Sequence, residues 1–272
     1  QLKEDQLIPK VGAPQFSPHG GQIASGSRVT LTGADGATLY YTLDGSDPRM
    51  IGGQVRADAN TVTAKTQSLM LDHTSTIKAR NRAADGGWSA LTSARFLVDQ
   101  VPASAANLRV TEIMYHPAKV SEREKREGVE SRKAFEFIEL QNIGKTALDL
   151  KDVAFTNGIY FEFNGSPQLV LESGAYLLLV SDQAAFEQRY GKGLPLAGVY
   201  SGSLGNDGEA LGIRAADLSP IVELTYNDKQ PWPEEADGDG YSLVPRDAGV
   251  HSSDATGWRA SREKGGSPGK AD

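Results

Sequence analysis

Short runs in which apolar and polar residues alternate, each closed by a turn signal, most constrain how this chain can fold. Residues 28–32 alternate in this way, and after Asp35-Gly36 the alternation resumes in residues 39–43. A period of two is typical of strands with one buried face, and Asp-Gly supplies the positive φ angles of a tight turn. We therefore predict a β-hairpin here. The 30 glycines and 13 prolines, spread along the chain at short intervals, favour an all-β protein.

The second half of the chain continues the pattern. Residues 153–156 and 159–163 are predicted strands joined by Asn157-Gly158, the strongest short hairpin signal. Residues 176–180 form an unbroken apolar run. Such a run predicts a strand that is buried on both faces.

Three segments depart from this pattern. Residues 182–190 follow the N-cap candidates Ser181 and Asp182 and stop at Gly191, which predicts a short helix packed on the edge of a sandwich. Residues 119–133 carry six basic and four acidic side chains, which predicts a solvated loop or an exposed helical turn. Residues 265–269, rich in glycine, predict a terminal coil.

The length of 272 residues favours two domains, at roughly 100–200 residues per domain. We place the first at residues 13–98, a linker at 99–106 and the second at 107–272. Residues 1–100 hold 10 basic and 9 acidic side chains, whereas residues 101–272 hold 18 and 26. The second domain therefore carries the acidity that gives the chain its net charge of −7.

Composition excludes several classes of function. The chain has no cysteine, which removes disulfides, thiol catalysis and cysteine zinc sites. Its negative charge argues against nucleic-acid and anionic-membrane binding, and no apolar run reaches the roughly 18 residues of a membrane span. Residues 1–5 are polar and acidic, so we expect no signal peptide in this chain. Phosphate-binding loops and histidines at zinc spacing are absent from the sequence.

Several motifs of the first domain point to a known family. They are Pro14-Gln15-Phe16-Ser17-Pro18, Val29-Thr30-Leu31-Thr32, Tyr40-Tyr41-Thr42-Leu43-Asp44-Gly45-Ser46-Asp47-Pro48, Ile77-Lys78-Ala79-Arg80 and Trp88-Ser89. Through them the segment resembles the chitobiase/β-hexosaminidase C-terminal domain. The resemblance implies a fibronectin type III-like or immunoglobulin-like sandwich, usually an accessory domain in bacterial secreted enzymes and surface proteins.

The second domain carries motifs of another family. They are Val110-Thr111-Glu112-Ile113-Met114-Tyr115-His116-Pro117, Phe135-Glu136-Phe137-Ile138-Glu139-Leu140-Gln141-Asn142, Tyr200-Ser201-Gly202-Ser203-Leu204 and Asp237-Gly238-Asp239-Gly240-Tyr241-Ser242-Leu243. Through them residues 107–272 resemble the bacterial lamin tail domain, which implies an immunoglobulin-like sandwich. The charged residues 119–133 are a longer insertion than that family leads us to expect. Such domain pairs are similar to fragments of larger exported proteins, which implies an extracellular or cell-surface location.

We therefore predict an all-β chain with two tandem immunoglobulin-like or fibronectin III-like β-sandwiches and one short helix in the second. Three glutamates, Glu112, Glu136 and Glu139, lie in adjacent predicted strands, and a carboxylate pair is the minimum for glycoside hydrolysis. Strand parity places Glu136 and Glu139 on opposite faces, so those two cannot pair by themselves. We expect them to pair with Arg or Lys or to accept backbone N–H groups from loops.

Two further kinds of site are open. Asp237 and Asp239 lie in a loop with glycines and could hold calcium, although a solvated turn explains the pattern more simply. Tyr40 lies on the strand face opposite Leu39 and Tyr41, and Trp88 follows an Asp-Gly-Gly turn, so both could stack on a sugar. Core or interdomain packing is the alternative for Trp88, and Trp232 between two prolines is predicted to anchor a loop.

The function that follows is a non-catalytic accessory or interaction module of an exported protein. It would bind a glycan or a surface protein, or act as a spacer. One alternative is a polysaccharide hydrolase that uses Glu112 with Glu136 or Glu139. Another is a calcium-dependent adhesion module. Beyond calcium we expect no cofactor, and we expect no nucleic-acid partner and no membrane insertion.

Overall fold

The computed structural model describes residues 9–247 and 253–272, and the polar start at residues 1–5 lies outside them. The chain divides into two compact units, Gln1–Val101 and Pro102–Asp272. Strands dominate both units, and the predicted all-β sandwich class is confirmed. No helix within the described ranges is both long enough and apolar enough to cross a membrane.

The first unit packs two sheets around one core. The strands of this unit are β1 Gln15–Ser17, β2 Gly21–Ile23, β3 Ser27–Thr32, β4 Thr38–Thr42, β5 Asn60–Val62, β6 Thr66–Leu71, β7 Ser75–Arg82 and β8 Thr92–Val98. One sheet has the order β1-β3-β6 and the other the order β2-β8-β7-β4-β5. Alternate residues of the central strands enter the core, among them Val29, Leu31, Leu39, Tyr41, Ile77 and Phe96.

The predicted hairpin of residues 28–32 and 39–43 is wrong in its pairing. Strand β3 bonds to β1 and β6, whereas β4 bonds to β5 and β7 in the opposite sheet. The turn at Asp35-Gly36 therefore carries the chain from one sheet to the other. Each strand buries one face, with Val29 and Leu31 in β3 and Leu39 and Tyr41 in β4. A hairpin and a crossing between sheets both need alternating residues and a tight turn, so the sequence pattern does not distinguish them.

The described residues of the second unit form strands in three sheets. The strands are β9 Gln100–Pro102 at the boundary of the units, then β10 Leu108–Met114, β11 Phe137–Asn142, β12 Ala147–Asp149, β13 Ala154–Asn157, β14 Phe161–Glu162, β15 Val170–Leu171, β16 Tyr176–Val180, β17 Leu196–Val199, β18 Glu209–Arg214, β19 Pro220–Tyr226, β20 Leu243–Pro245 and β21 Trp258–Ala260. A six-stranded sheet has the order β17-β16-β11-β10-β20-β21, a four-stranded sheet has the order β14-β13-β18-β19, and β12 pairs with β15.

Several local predictions for this unit are confirmed. Strands β13 and β14 form the hairpin at Asn157-Gly158, with Phe155 opposite Phe161. Strand β16 is buried from Leu177 to Val180. The predicted helix is α2, Gln183–Tyr190, in which Asp182 caps the N-terminus by accepting from the Ala185 N–H. It connects the parallel strands β16 and β17. The part of this unit that the structure describes also contains four 3₁₀ turns, Arg132–Phe135, Phe163–Gly165, Glu234–Ala236 and Ala255–Gly257.

The charged segment 119–133 contains helix α1, Glu122–Arg126, which starts at a Ser121 capping box. A helical turn was one of the two predicted forms, but the segment is not wholly solvated. Glu124 is buried and forms a two-point ion pair with Arg189 of α2, with N to O distances of 2.7 and 2.8 Å. This pair ties the insertion to the body of the unit.

The predicted linker contains a strand, and the predicted terminal coil is held by hydrogen bonds. Residues 99–106 include strand β9, and the Ala103 N–H donates to the Asp149 carbonyl. Residues 265–269 are irregular, as predicted, but two of their backbone N–H groups donate to buried carboxylates. We call residues 265–272 the C-terminal segment below.

Candidate ligand site and buried carboxylates

Strand register in the first unit brings Tyr40, Arg82 and Trp88 onto one outward face. Tyr40 lies opposite Arg80 on β7, and Thr38 lies opposite Arg82. Trp88 lies opposite Arg82 across an antiparallel bridge. Opposite and diagonal residues of an antiparallel pair share a face. The three side chains therefore converge at the end of β7, where the chain turns through Asp85-Gly86-Gly87.

The aromatic pair is held in place by specific contacts. The ring centroids of Tyr40 and Trp88 are 5.5 Å apart with an interplanar angle of 54°. The Trp88 indole N–H donates to the Gly53 carbonyl at 2.8 Å. The Arg82 guanidinium carbon lies 5.4 Å from the centroid of the Trp88 ring. Both rings are only partly buried, so the pair is a fixed aromatic surface rather than part of the core.

Two cavities flank the turn that leads to Trp88, and Ala83 borders both. The first cavity, of about 300 Å³, lies beside Tyr40; its lining residues are Gly36, Thr38, Tyr40, Arg82, Ala83, Ala84 and Gly86. The second cavity, of about 240 Å³, lies beside Trp88; its lining residues are Pro9, Lys10, Val11, Ala83, Asp85, Gly87 and Trp88. The two predicted ligand residues, Tyr40 and Trp88, thus contact each other and each lines a cavity.

A second layer of polar contacts supports this face. Arg80 binds Asp47 through two hydrogen bonds of 2.8 Å and donates to the Ser89 carbonyl at 2.7 Å. The hydrogen bond from Arg80 holds the pKa of Asp47 below its usual range. The neighbouring Asp44 caps the turn by accepting from the Ser46 N–H at 2.9 Å. The residues 44–48 therefore serve the local structure and position Arg80 beside Tyr40.

In the second unit, Glu112 and Glu139 meet on one face of the six-stranded sheet. They are partners in the register of β10 and β11, which shifts between Val110 and Glu112. Such a bulge turns an additional side chain to the same face, and Thr111 indeed donates to Glu139 at 2.7 Å. Glu136 lies elsewhere, where it accepts from the Leu204 N–H and the Tyr200 hydroxyl. Glu136 and Glu139 therefore point to opposite faces, as the alternation of side chains along a strand predicts.

The C-terminal segment covers the two facing carboxylates. Glu112 accepts from the Ser242 hydroxyl at 2.5 Å and from the Ser267 N–H at 3.0 Å. Glu139 accepts from the Gly269 N–H at 2.6 Å. The expectation of backbone N–H partners from loops agrees with these contacts, whereas the hydrogen bonds of all three glutamates come from hydroxyl and N–H groups rather than from Arg or Lys.

Burial dominates the titration of these groups. It raises the pKa of Glu112 to about 7 and that of Glu136 to about 7. For Glu139, burial and then the nearby Glu112 charge raise the pKa to about 8, against the hydrogen bond from Thr111. Glu112 is buried, and Ser242 and Ser267 donate hydrogen bonds to its carboxylate. This geometry counts against a hydrolase that uses Glu112 with Glu139.

The candidate calcium residue Asp237 is engaged by a histidine. Its carboxylate lies 2.5 Å from His116 Nδ1, and Arg132 Nη1 lies 2.8 Å from His116 Nε2. Because a guanidinium can only donate, Nε2 must accept and Nδ1 must donate to Asp237. Across residues 9–247 and 253–272, no three His, Cys, Asp or Glu side chains are grouped to hold a metal ion. Calcium at Asp237 and Asp239 stays a prediction.

Sequence patterns missed Arg82, Gly53 and the C-terminal segment. Arg82 could have been found from parity, since Lys78, Arg80 and Arg82 alternate with the buried residues of β7. The Gly53 carbonyl has no side-chain signal in the sequence. Trp232 was predicted as a loop anchor, and it is buried against Trp258 at a centroid distance of 6.1 Å.

Comparisons with known proteins support one of the two resemblances. Residues 18–93 match the family model of the chitobiase/beta-hexosaminidase C-terminal domain, which confirms the resemblance of the first domain. That match includes Tyr40, Arg82 and Trp88. No curated protein matches the chain. The lamin tail resemblance of residues 107–272 is not tested by these comparisons and stays a prediction.

Among solved structures, the chain is similar to a DUF4876 family protein from Bacteroides thetaiotaomicron. The sequence identity is 9% and the TM-score is 0.35, with 85% of this chain and 89% of that chain covered. A likeness this distant carries no argument about function.

Proposed function

We propose that this chain is a non-catalytic accessory module of a larger exported bacterial protein, and that its first unit binds a glycan. The domain that residues 18–93 match takes its name from the C-terminal part of glycan-cleaving enzymes. An accessory role in an extracellular protein fits that match. The glutamates of the second unit, covered by backbone and hydroxyl donors, fit a structural role better than a catalytic one.

The observation that carries the proposal is the contact between Tyr40 and Trp88. Aromatic faces beside polar groups offer a sugar ring both apolar contact and hydrogen bonds. The two rings are fixed by the Gly53 carbonyl and by strand register, so little side-chain entropy is lost on binding. Each ring also lines a cavity in which a sugar can lie.

A glycan-array screen of the purified chain tests this proposal, with and without calcium. Trp88→Ala and Tyr40→Ala should each weaken binding to every glycan that the chain retains. Tyr160→Ala is the matched control, because Tyr160 is an aromatic residue 63% exposed in the other unit. Retained thermal unfolding midpoints show that the variants fold.

Binding that is unchanged in both Trp88→Ala and Tyr40→Ala would contradict the proposal, as would the absence of binding to any glycan. Either result would favour a protein partner or a spacer role. Binding that requires added calcium and falls in Asp237→Asn would instead support the adhesion alternative.

A further inference from the structure

We propose that the site at Tyr40 and Trp88 selects acidic sugars, with Arg82 binding the carboxylate of a uronic-acid residue. This inference rests on the glycan-binding function proposed above and names its ligand class. It concerns the cavity of about 300 Å³ that Tyr40 and Arg82 share.

The lining of that cavity carries positive charge and no negative charge. Arg82 is the one charged residue among its lining residues, which otherwise are glycine, alanine, Thr38 and Tyr40. Within the described residues, Arg82 has no carboxylate partner; its Nε donates to the Gly86 carbonyl at 3.4 Å and its guanidinium lies over Trp88. These contacts orient the guanidinium and leave its terminal nitrogens for an anion. A guanidinium presents parallel donors that match both oxygens of a carboxylate.

The outward face of β7 around the cavity is also positively charged. Lys78 lies two positions from Arg80 on the outward side of β7. Arg80 itself is neutralised by Asp47. In the neighbouring cavity, Lys10 and Asp85 offset each other. The excess positive charge therefore lies along β7, where it would raise the local concentration of a polyanionic chain.

The aromatic pair distinguishes an acidic sugar from other anions. A free phosphate or sulfate would use the guanidinium but would gain nothing from Tyr40 and Trp88. A neutral sugar would use the rings but would leave Arg82 without an anion. A uronic acid joins a ring face and a carboxylate in one residue, so in this cavity it can use Tyr40 and Arg82 together. Trp88 lines the neighbouring cavity and holds both side chains in place through its contacts with Tyr40 and Arg82.

Calorimetric titration with a matched ligand pair tests the inference. The ligands are an oligogalacturonate and the same oligosaccharide with its carboxylates methyl-esterified, which removes the charge and keeps the sugar rings. We expect the acid to bind about tenfold more tightly than the ester, as for the loss of one charge-assisted hydrogen bond. Raising the salt concentration from about 50 to about 500 mM should weaken binding of the acid more than binding of the ester.

Variants of the chain locate the effect. Arg82→Gln should bind acid and ester equally, and Arg82→Lys should regain only part of the preference because it keeps the charge without the planar fork. Arg28→Gln is the matched control, since Arg28 is exposed on β3 in the other sheet of the same unit. It should keep the full preference. Unchanged melting temperatures exclude unfolding as the cause.

The outcomes separate this inference from the glycan-binding proposal. Equal binding of acid and ester to the unaltered chain, lost in Trp88→Ala, would overturn acidic selectivity and leave glycan binding intact. No binding of either ligand at any salt concentration would overturn acidic selectivity, whereas the glycan-binding proposal is overturned only if the glycan array also shows no binding. Equally tight binding of poly-glutamate would overturn the sugar specificity, because that polymer supplies carboxylates without sugar rings.

Discussion

Glu112 and Glu139 face each other across strands β10 and β11 with both side chains buried, and their hydrogen bonds hold the C-terminal segment. No basic side chain among the described residues forms an ion pair with either one. Because two neighbouring carboxylates repel each other when both are ionised, protonation of at least one of them is favoured. The C-terminal segment is therefore bound to Glu112 and Glu139, and ionisation of these two carboxylates destabilises the folded state.

The stability of the chain should decrease as the pH rises. The pKa values of Glu112 and Glu139 are raised from 4.5 to about 7 and about 8 in the folded state. The folded state therefore binds more protons than the unfolded chain, and this stabilisation is complete below about pH 4.5 and lost as the pH rises through 7 to 8. At about 1.4 kcal/mol per pKa unit, the free energy of unfolding should fall by at least about 3 kcal/mol between about pH 5 and pH 9.

Urea denaturation at a series of pH values measures this dependence. Glu139→Gln provides the control, because an amide can accept from the Gly269 N–H and donate to Thr111 without titrating. Its stability should depend less on pH over the same range. A stability that is flat or that rises from pH 5 to pH 9 would contradict the assignment.

The packing of Gly266 against Glu112 should make this position intolerant of a side chain. A Cβ at Gly266 would lie 1.8 Å from Glu112 Oε1, and its φ is +75°. Gly266→Ala should therefore cost about 3 kcal/mol or more, since both the backbone and a buried carboxylate must move. Gly265→Ala is the control, because it has φ +95° but its Cβ would approach nothing closer than 3.6 Å. That change should cost about 1 to 2 kcal/mol. Equal midpoints of denaturation for the two variants would refute the contact.

The ion pair between Arg189 and Glu124 should contribute measurably to stability. Both side chains are largely buried, at 15% and 12% exposure, and the Arg189 guanidinium lies 3.2 Å from the centroid of Phe135. Arg189→Met should cost about 2 to 3 kcal/mol because it leaves Glu124 buried without its partner. Arg189→Lys should restore little, since an ammonium cannot make the two-point contact.

Acid titration gives a second measure of this pair. The hydrogen bond from Arg189 lowers the pKa of Glu124 to about 2. Its stabilisation is present above the unfolded value of 4.5 and is lost as the pH falls towards 2. Arg123→Ala serves as the control, since its pair with Glu127 is exposed and should contribute little to stability. Equal effects of Arg189→Met and Arg123→Ala would show that the buried pair adds nothing.

Local sequence signals were informative where one residue type determines one conformation. Asp182 capped the predicted helix, and Asn157-Gly158 formed the predicted hairpin. Alternation identified the strand of residues 39–43 but not its partners, because pairing depends on which sheet the turn at Asp35-Gly36 leads to. Local patterns carry no information about that choice.

The candidate sites show the same limit. Parity separated Glu136 from Glu139, but the bulge at Thr111 and the return of the C-terminal segment to Glu112 involve residues far apart in the chain. Tyr40 and Trp88 were each identified as residues that could stack on a sugar, with core or interdomain packing as the alternative for Trp88. Their mutual contact, and the place of Arg82 over the Trp88 ring, arise from the register of three strand segments. No short motif encodes that register.

The indole N–H signals of the three tryptophans give the most direct test of the binding site. The chain holds three tryptophans; Trp232 and Trp258 are buried in the second unit at 8% and 2% exposure, and Trp88 is assigned by Trp88→Phe. In a ¹⁵N-resolved NMR titration with oligogalacturonate, the Trp88 signal should shift saturably while the other two stay fixed. A Trp88 signal that does not move at saturating ligand, or three signals that shift together, would contradict a glycan site at Tyr40, Arg82 and Trp88.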